Sequence, residues 1–262
     1  LFHRPFTAES WRDFLDRRRT PIAEVRNSRD VALSQIGEDL YRWIFEGYTR
    51  KQWGLDPADL GPEVLARIPL RFDRDTRYFS DPFQGLPSGG YSAMVRAMIA
   101  SPRIHLLLQT DFAAVRSQVE RRVTVYTGPI DGYFDYALGE LPYRSLRFEW
   151  QTLDREYTQG AGVVNYPQQE EFTRSTEFKH LTGQRHPRTT LCREYPCAEG
   201  EPYYPIPNPE NHRRYEEYAR LTEGERDTFF VGRLAQYRYL NMDLAVAEGL
   251  KVAGTIIDRF RG

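Results

Sequence analysis

The chain has 262 residues, of which 40% are hydrophobic and 28% charged, and its formal net charge is −1. This composition excludes disordered, collagenous and coiled-coil classes, and it predicts a globular protein of one large or two modest domains. The near-neutral charge gives no general attraction for nucleic acid. No apolar run approaches the ~20 residues of a membrane span, and the opening residues lack a signal-peptide pattern, so we expect a cytoplasmic protein without a membrane span.

The first 72 residues predict a helical domain. Thr7 is a typical N-cap residue for a first helix, and Asn27 or Ser28 is a typical N-cap for a second one. Arg67 follows the helical region on a predicted loop.

Residues 73–205 predict a mixed region in which short strands dominate. The predicted strands are Ile104–Leu108, Val123–Tyr126, Tyr143–Leu153, Gly162–Tyr166, Phe172–Phe178 and Thr189–Tyr195. The first two are apolar runs and predict buried strands, and His105 is therefore expected to fill a core position. Alternation of Leu146, Phe148 and Trp150 predicts a strand with one face in solvent. The short connections between these predicted strands favour a predominantly antiparallel sheet. The predicted fold class is α+β.

Residues 206–262 predict a helix, the strand Thr228–Val231 and a final helix. Gly232 and Arg233 follow that strand, and Asn241 is placed to cap the last helix. A glycine allows the backbone to approach a ligand closely, and a helix N-terminus favours an anion. Taken alone, this pattern is more typical of an ordinary strand–loop–helix connection than of a ligand site.

A second loop of this kind, Thr127-Gly128-Pro129, also leaves an apolar strand, and two such loops could hold one cofactor. The usual phosphate cradle is absent, because Gly160-Ala161-Gly162 has no third glycine and precedes a strand. The five histidines lack metal-ligand spacing, and two cysteines cannot form a four-thiolate site, so no metal is predicted.

Tyrosine, tryptophan and arginine recur at loops and at the ends of elements. Of the 36 basic residues only Lys51, Lys179 and Lys251 are lysines, and arginine gives planar, bidentate contacts with phosphate. Aromatic rings stack on bases, so this set fits a nucleotide-diphosphate ligand. Each residue taken singly is more often a core-edge or surface residue than part of a ligand site.

Several segments together resemble the UDP-galactopyranose mutase family. They are Gly47-Tyr48-Thr49-Arg50-Lys51-Gln52-Trp53-Gly54, Gly89-Gly90-Tyr91, Val125–Asp131, Tyr133-Phe134-Asp135-Tyr136, Tyr143-Arg144-Ser145, Glu194-Tyr195, Glu201–Pro205, Gly232-Arg233-Leu234 and Tyr237-Arg238-Tyr239. They occur in the family's order over nearly the whole chain. The family's N-terminal FAD fingerprint is missing, so we expect the chain to be an incomplete part of the enzyme.

The resemblance implies an isomerase that interconverts UDP-galactopyranose and UDP-galactofuranose without net redox change. In the family, reduced FAD supplies the covalent chemistry through a flavin N5–sugar adduct, and the protein orients the substrate and binds its diphosphate. The expected architecture is a helical domain and an antiparallel sheet, with the remaining part of a Rossmann-like FAD-binding domain. The resemblance leaves the oligomeric state open, and a homo-oligomer is one alternative.

The resemblance also assigns site residues. The expected catalytic residues are Arg67, on a mobile loop, Arg174, Arg144 and Glu194, of which Arg67 and Arg174 hold the diphosphate. The expected substrate-binding residues are Phe45, Tyr48, Trp53 and Tyr78 for uridine, Asn165 for the sugar, and Tyr204 and Tyr239 as hydroxyl donors. The expected cofactor-binding residues are Thr127, Gly128, Pro129, Gly232, Arg233 and Asn241.

Two departures from the family and two alternatives qualify this interpretation. Asn241 stands where the family usually has aspartate, which removes a negative charge near the flavin, and the segment Pro196–Gly200 is shorter than usual. One alternative is a non-catalytic remnant of mutase ancestry. The other is a module that binds an anion, a nucleotide or RNA, for which salt-dependent binding would be diagnostic.

Overall fold

The computed structural model describes residues 5–75 and 77–261, so the expectations for Leu1–Arg4 lie outside the described residues. The helices are α1 (Ala8–Asp16), α2 (Ser28–Leu40), α3 (Gly47–Trp53), α4 (Glu63–Ala66), α5 (Gly90–Met98), α6 (Phe112–Val115), α7 (Ile130–Tyr133), α8 (Phe178–Thr182), α9 (Pro209–Thr222) and α10 (Met242–Arg261). The strands are β1 (Thr124–Tyr126), β2 (Tyr143–Leu153), β3 (Val163–Asn165), β4 (Arg174–Glu177), β5 (Thr189–Cys197), β6 (Tyr204–Pro205) and β7 (Thr228–Phe230).

The predicted N-terminal helices are confirmed at their caps. The Thr7 side chain accepts a hydrogen bond from the Ser10 amide, and the Ser10 side chain reciprocates at the Thr7 amide, which completes a capping box. The Asn27 side chain caps α2 by accepting from the Asp30 amide at 2.8 Å. The two helices bury Phe14, Leu15, Ile36 and Leu40 in one apolar cluster.

Helix α2 is interrupted near its C-terminal end by one residue with a non-helical backbone, and the helical segment then continues beyond α2. Gly37 has a φ of 76°, and a Cβ there would overlap the carbonyl oxygen of Arg18. Tyr41–Glu46 then forms a π-helix that leads directly into α3. A π-helix is rare and is frequently found near functional positions. A short 3-10 helix, Pro57–Asp59, follows with Asp56 as its N-cap.

The chain divides into two compact units. The first combines the N-terminal part up to Leu86 with Leu146–Gly200, and the second combines Pro87–Ser145 with Glu201–Gly262. The three functional segments predicted from the sequence, 1–72, 73–205 and 206–262, remain a prediction.

The predicted antiparallel sheet is confirmed, in the order β3-β4-β5-β2-β6. In the first unit, Thr176 of β4 lies opposite both Val163 of β3 and Cys192 of β5. In the second unit the first residues of β2 pair with β6, and Arg144 faces Tyr204.

A parallel pair of strands forms a second, smaller sheet in the second unit. Val125 of β1 lies opposite Phe229 of β7. Beside this pair, Ile130, Leu141 and Tyr218 are buried in an aromatic-rich core. The fold class is therefore mixed, with helices, an antiparallel sheet and a parallel pair, as the sequence predicts.

Three burial predictions are wrong. Ile104–Leu108 is not a strand, and Leu108 is 73% exposed. Among the described residues no strand pairs with this apolar run, so apolarity alone predicted the wrong structure, and His105 is exposed. Val125, expected to be buried, is half exposed.

The alternating pattern in β2 also fails at its far end. Leu146 is buried, but Phe148 and Trp150 are both exposed, because residues 147–152 are open to solvent on both faces of the strand. Trp150 stacks on Phe178 with ring centroids 5.5 Å apart. Within residues 5–75 and 77–261, no helix has the length and apolar character needed to cross a membrane.

Candidate functional site

Three predicted site residues lie side by side on neighbouring strands of the first unit. Asn165 of β3 is the direct cross-strand partner of Arg174 of β4, and Arg174 is the direct partner of Glu194 of β5. Directly opposed residues of an antiparallel sheet project from the same face, with their Cβ atoms about 5 Å apart. The strand register therefore forms a polar row from an amide through a guanidinium to a carboxylate.

Arg174 and Glu194 form the charged part of this row. The Arg174 Nε atom lies 3.5 Å from the Glu194 Oε2 atom. Burial raises the pKa of Glu194, and the positive charge of Arg174 only partly opposes that rise. The Glu194 carboxyl thus takes up a proton more readily than an exposed glutamate does.

Helix α3 brings a tyrosine to the same guanidinium. Arg174 donates from Nη2 to the Tyr48 hydroxyl at 2.7 Å. The neighbouring positions Thr49 and Trp53 are buried, and Trp53 is only 3% exposed. Helical spacing separates Tyr48, at the site, from these positions in the core. In this structure the Trp53 indole therefore packs in the interior and presents no open ring face.

Arg67, predicted on a loop, and Tyr78 come together. Arg67 lies at the C-terminus of α4 and donates from Nη1 to the Tyr78 hydroxyl at 3.3 Å. The Tyr78 side chain is 45% exposed. Phe45, also predicted for the uridine site, packs against the apolar cluster of α1 and α2.

The second unit collects several of the remaining predicted residues around Arg233. Its guanidinium lies about 5 Å from the rings of both Tyr204 and Tyr239, at 5.3 Å and 5.0 Å from their centroids. The two rings stack with centroids 5.6 Å apart. Arg233 also donates to the backbone carbonyls of Tyr203 and Leu240. These bonds fix the guanidinium within an aromatic environment.

Arg144 and Gly232 adjoin this group. Arg144 is buried opposite Tyr204, and its carbonyl accepts from the Tyr203 amide at 3.0 Å. Gly232 has a φ of 98°, and a Cβ placed there would meet only open space. A glycine with this backbone leaves room for a ligand to approach the main chain.

The loop Thr127-Gly128-Pro129 is closed by the tyrosine that precedes it. The Tyr126 hydroxyl donates to the Pro129 carbonyl at 3.1 Å, and a Cβ at Gly128 would lie 2.6 Å from that hydroxyl. Burial raises the pKa of Tyr126 to about 12, so the phenol stays protonated and able to donate. Asn241 directly precedes α10, and its carbonyl accepts from the Ala245 amide at 2.9 Å.

Sequence reasoning missed one residue, Lys51, which contacts the loop between β3 and β4. Its ammonium donates to three backbone carbonyls of that loop. The available signal was its position within the segment Gly47–Gly54 in a chain with very few lysines. In the described part of the chain, no group of three or more histidine, cysteine, aspartate or glutamate side chains is arranged to hold a metal ion.

Comparisons with known proteins agree on one family. The sequence model of UDP-galactopyranose mutase matches residues 43–239. A probable UDP-galactopyranose mutase from Klebsiella pneumoniae is 40% identical over 237 residues, covering 88% of this chain and 61% of that protein. A dTDP-fucopyranose mutase from Escherichia coli is 35% identical over 245 residues, covering 88% of this chain and 64% of that protein.

A solved structure supports the same fold. The crystal structure of a reduced UDP-galactopyranose mutase matches with a TM-score of 0.66 at 16% identity, covering 87% of this chain and 67% of that chain. The chain spans about 61–64% of the length of the curated relatives it matches.

Proposed function

The chain belongs to the UDP-galactopyranose mutase family, and on that premise we propose that the full-length protein interconverts UDP-galactopyranose and UDP-galactofuranose. The observation that carries the proposal is the environment of Arg174. Its guanidinium is held by the Tyr48 hydroxyl on one side and the Glu194 carboxylate on the other, on an otherwise polar row of the sheet. A guanidinium fixed in this way is preorganised for a phosphate.

We assign the substrate diphosphate to Arg174 and Arg67. Each is held by a tyrosine hydroxyl, so little side-chain freedom remains to be lost when an anion binds. Positive charge at both residues would stabilise the departing nucleoside diphosphate. Asn165, beside Arg174, is assigned to the sugar.

We assign the uridine to Phe45, Tyr48 and Tyr78, whose rings lie in the first unit. Trp53 is included in this assignment as a residue that packs α3 in the interior, because its indole is buried. Tyr204 and Tyr239 are assigned as hydroxyl donors to the substrate, and Arg144 and Glu194 as residues that set the charge around it.

The cofactor that we propose is FAD, active in its reduced form. When bound, reduced flavin supplies the nucleophile that allows the sugar ring to open and reclose without net redox change. The residues present fit such a group: Gly232 leaves open space beside its backbone, Arg233 donates to backbone carbonyls, and the Tyr126 hydroxyl closes the loop Thr127-Gly128-Pro129. Asn241, before α10, completes this set.

The proposal is tested with the full-length protein that contains this chain. In the presence of dithionite we expect conversion of UDP-galactofuranose to UDP-galactopyranose, which chromatography of the two sugar nucleotides measures. We also expect flavin absorbance in the purified protein. Tight UDP binding without turnover would favour the non-catalytic alternative. Preferential turnover of dTDP-fucopyranose, the sugar named for the Escherichia coli relative, would change the substrate assignment but retain the site.

We further propose that the reaction takes place in the cytoplasm, because both cysteines, Cys192 and Cys197, are free. Fractionation of cells that produce the full-length protein tests this location.

A further inference from the structure

Lys51 is placed to control the geometry of the site without touching the substrate. It lies one helical turn after Tyr48 on α3, and its side chain points to the loop that joins β3 to β4. The Lys51 ammonium donates to the carbonyls of Tyr166, Glu170 and Phe172 at 2.5, 2.7 and 3.3 Å. One charged group therefore gathers the carbonyls at both ends of this loop.

Two further contacts hold the same loop against the helical segment. The Gln168 side-chain amide donates to the Trp43 carbonyl, within the π-helix, at 2.7 Å. Gly47 approaches the loop so closely that a Cβ would overlap the Pro167 carbonyl oxygen. The loop between β3 and β4 is thus fixed to the helical segment at three separate positions.

The loop connects the two strands that carry the polar row. Asn165 is the last residue of β3, immediately before the loop, and Arg174 is the first residue of β4, immediately after it. Tyr48, the hydroxyl partner of Arg174, lies on the same helix as Lys51. A movement of the loop away from α3 that also displaced the start of β4 would change the distance from Arg174 to Tyr48.

We propose that Lys51 is a positioning residue that holds Asn165 and Arg174 in register with Tyr48 for binding of a nucleoside diphosphate. This inference rests on the proposed function, since it takes Arg174 as the diphosphate ligand. Burial lowers the pKa of Lys51, and its three carbonyl partners compensate for the water that the ammonium has lost.

The chain supplies a matched control in Lys179. Its buried ammonium also donates to three backbone carbonyls in the first unit, those of Glu156, His186 and Arg188. None of these carbonyls belongs to the loop between β3 and β4. Lys179→Met therefore removes an equivalent set of hydrogen bonds, whereas only Lys51→Met releases this loop.

The experiment uses the full-length protein and measures two quantities for each variant. Amide hydrogen exchange of the peptide 166–174 reports whether the loop is held, and it requires no activity. Titration with UDP reports the consequence for binding. For Lys51→Met we expect faster exchange in this peptide and UDP affinity about tenfold weaker, because small displacements of a binding group are costly. Gln168→Ala should move both quantities in the same direction by a smaller factor.

Lys179→Met should leave both quantities unchanged, although it lowers thermal stability. Unchanged exchange in Lys51→Met would overturn the proposal, and so would faster exchange with unchanged UDP affinity. If Lys51→Met does not fold, Gln168→Ala decides by the same criteria. Arg174→Ala separates a failure of the proposed function from a failure of this inference. If the UDP affinity of Arg174→Ala equals that of the wild type, the diphosphate assignment and this inference both fail. If UDP binding is weaker in Arg174→Ala but unchanged in Lys51→Met, the diphosphate assignment stands and the positioning role of Lys51 is rejected.

Discussion

The guanidinium of Arg174 and the carboxylate of Glu194 are direct cross-strand partners, with Nε and Oε2 3.5 Å apart in a partly buried setting. The carboxylate orients the guanidinium, but it also compensates the positive charge that a diphosphate would need. Burial raises the pKa of Glu194. The protonation state of Glu194 therefore controls how much positive charge Arg174 offers to an anion.

The first prediction concerns the pH dependence of substrate binding. At a pH below the raised pKa of Glu194 its carboxyl is neutral and Arg174 is uncompensated, so affinity for UDP-galactose is highest. As the pH rises through that pKa, the carboxylate forms and affinity falls. Titrations of UDP-galactose from acidic to neutral pH should show this loss in the wild type, and Glu194→Gln should remove it.

Glu199→Gln, at an exposed position of the same unit, is the matched control and should retain the wild-type profile. Identical profiles for the wild type and Glu194→Gln would refute the link between Glu194 and the anion.

The second prediction concerns the two arginines of the diphosphate. Arg67→Ala and Arg174→Ala should each reduce turnover by roughly 30- to 1000-fold, since loss of one charge-assisted contact costs about 2–4 kcal/mol in the transition state. Steady-state kinetics of the full-length protein provide the measurement. Arg185→Ala, at an exposed position of the same unit, should behave as the wild type. Turnover within a few-fold of the wild type in both variants would disprove the assignment.

The third prediction uses two glycines with opposite surroundings. A Cβ at Gly47 would overlap the Pro167 carbonyl oxygen, whereas a Cβ at Gly254, within α10, would meet nothing within 4 Å. Gly47→Ala should lower the free energy of unfolding by about 1–3 kcal/mol through displacement of the loop. Gly254→Ala should raise it by about 0.5–1 kcal/mol, because alanine favours a helix interior. Urea denaturation of both variants tests this contrast, and equal effects would contradict it.

Local signals predicted much of the fold. Thr7 and Asn27 are found at the predicted helix N-caps because capping depends on neighbours within three residues. The strands around Arg174 were also predicted, since short segments of alternating character are sufficient for them. Ile104–Leu108 was wrongly predicted as a strand, because an apolar run becomes a strand only when a partner strand is present, and that information is not local.

The candidate site was predictable as a set of residues but not as a geometry. Resemblance identified Arg174, Glu194 and Tyr48, yet their contacts depend on the register of β4 against β5 and on the placement of α3. Nothing in the sequence joins Lys51 to carbonyls 115 and more residues away. Long-range backbone hydrogen bonds of this kind carry no sequence signature at the accepting end, because every residue has a carbonyl.

The fourth prediction separates packing from ligand binding at Trp53. The indole is 3% exposed, so Trp53→Ala should create a cavity and lower the free energy of unfolding by about 3–5 kcal/mol. Trp53→Phe retains most of the volume and should cost clearly less. UDP affinity, measured where each variant is folded, should follow stability. A large loss of UDP affinity in Trp53→Phe with unchanged stability would instead indicate direct stacking on the base.

The fifth prediction concerns a fully buried carboxylate, Glu177, that organises the loop after β2. It accepts hydrogen bonds from the Thr189 hydroxyl at 2.6 Å and from the amides of Gln159 at 2.7 Å and Thr158 at 3.0 Å. The His180 Nε2 atom lies 3.3 Å away. Burial alone would raise the pKa of Glu177, but these hydrogen bonds outweigh it and hold the pKa below its usual value of 4.5.

A carboxyl whose pKa is lower in the folded than in the unfolded state stabilises the fold when it is ionised. That stability is fully present above the unfolded-state pKa, near 4.5, and is lost as the pH falls through the lower folded-state pKa. Glu177→Gln should therefore lower the free energy of unfolding by about 1.5–3 kcal/mol at neutral pH and make it less dependent on pH below 4.5. Glu217→Gln, at an exposed position of α9, should change neither quantity. Urea denaturation at a series of pH values gives both, and an acid dependence in Glu177→Gln as steep as in the wild type would place the titrating group elsewhere.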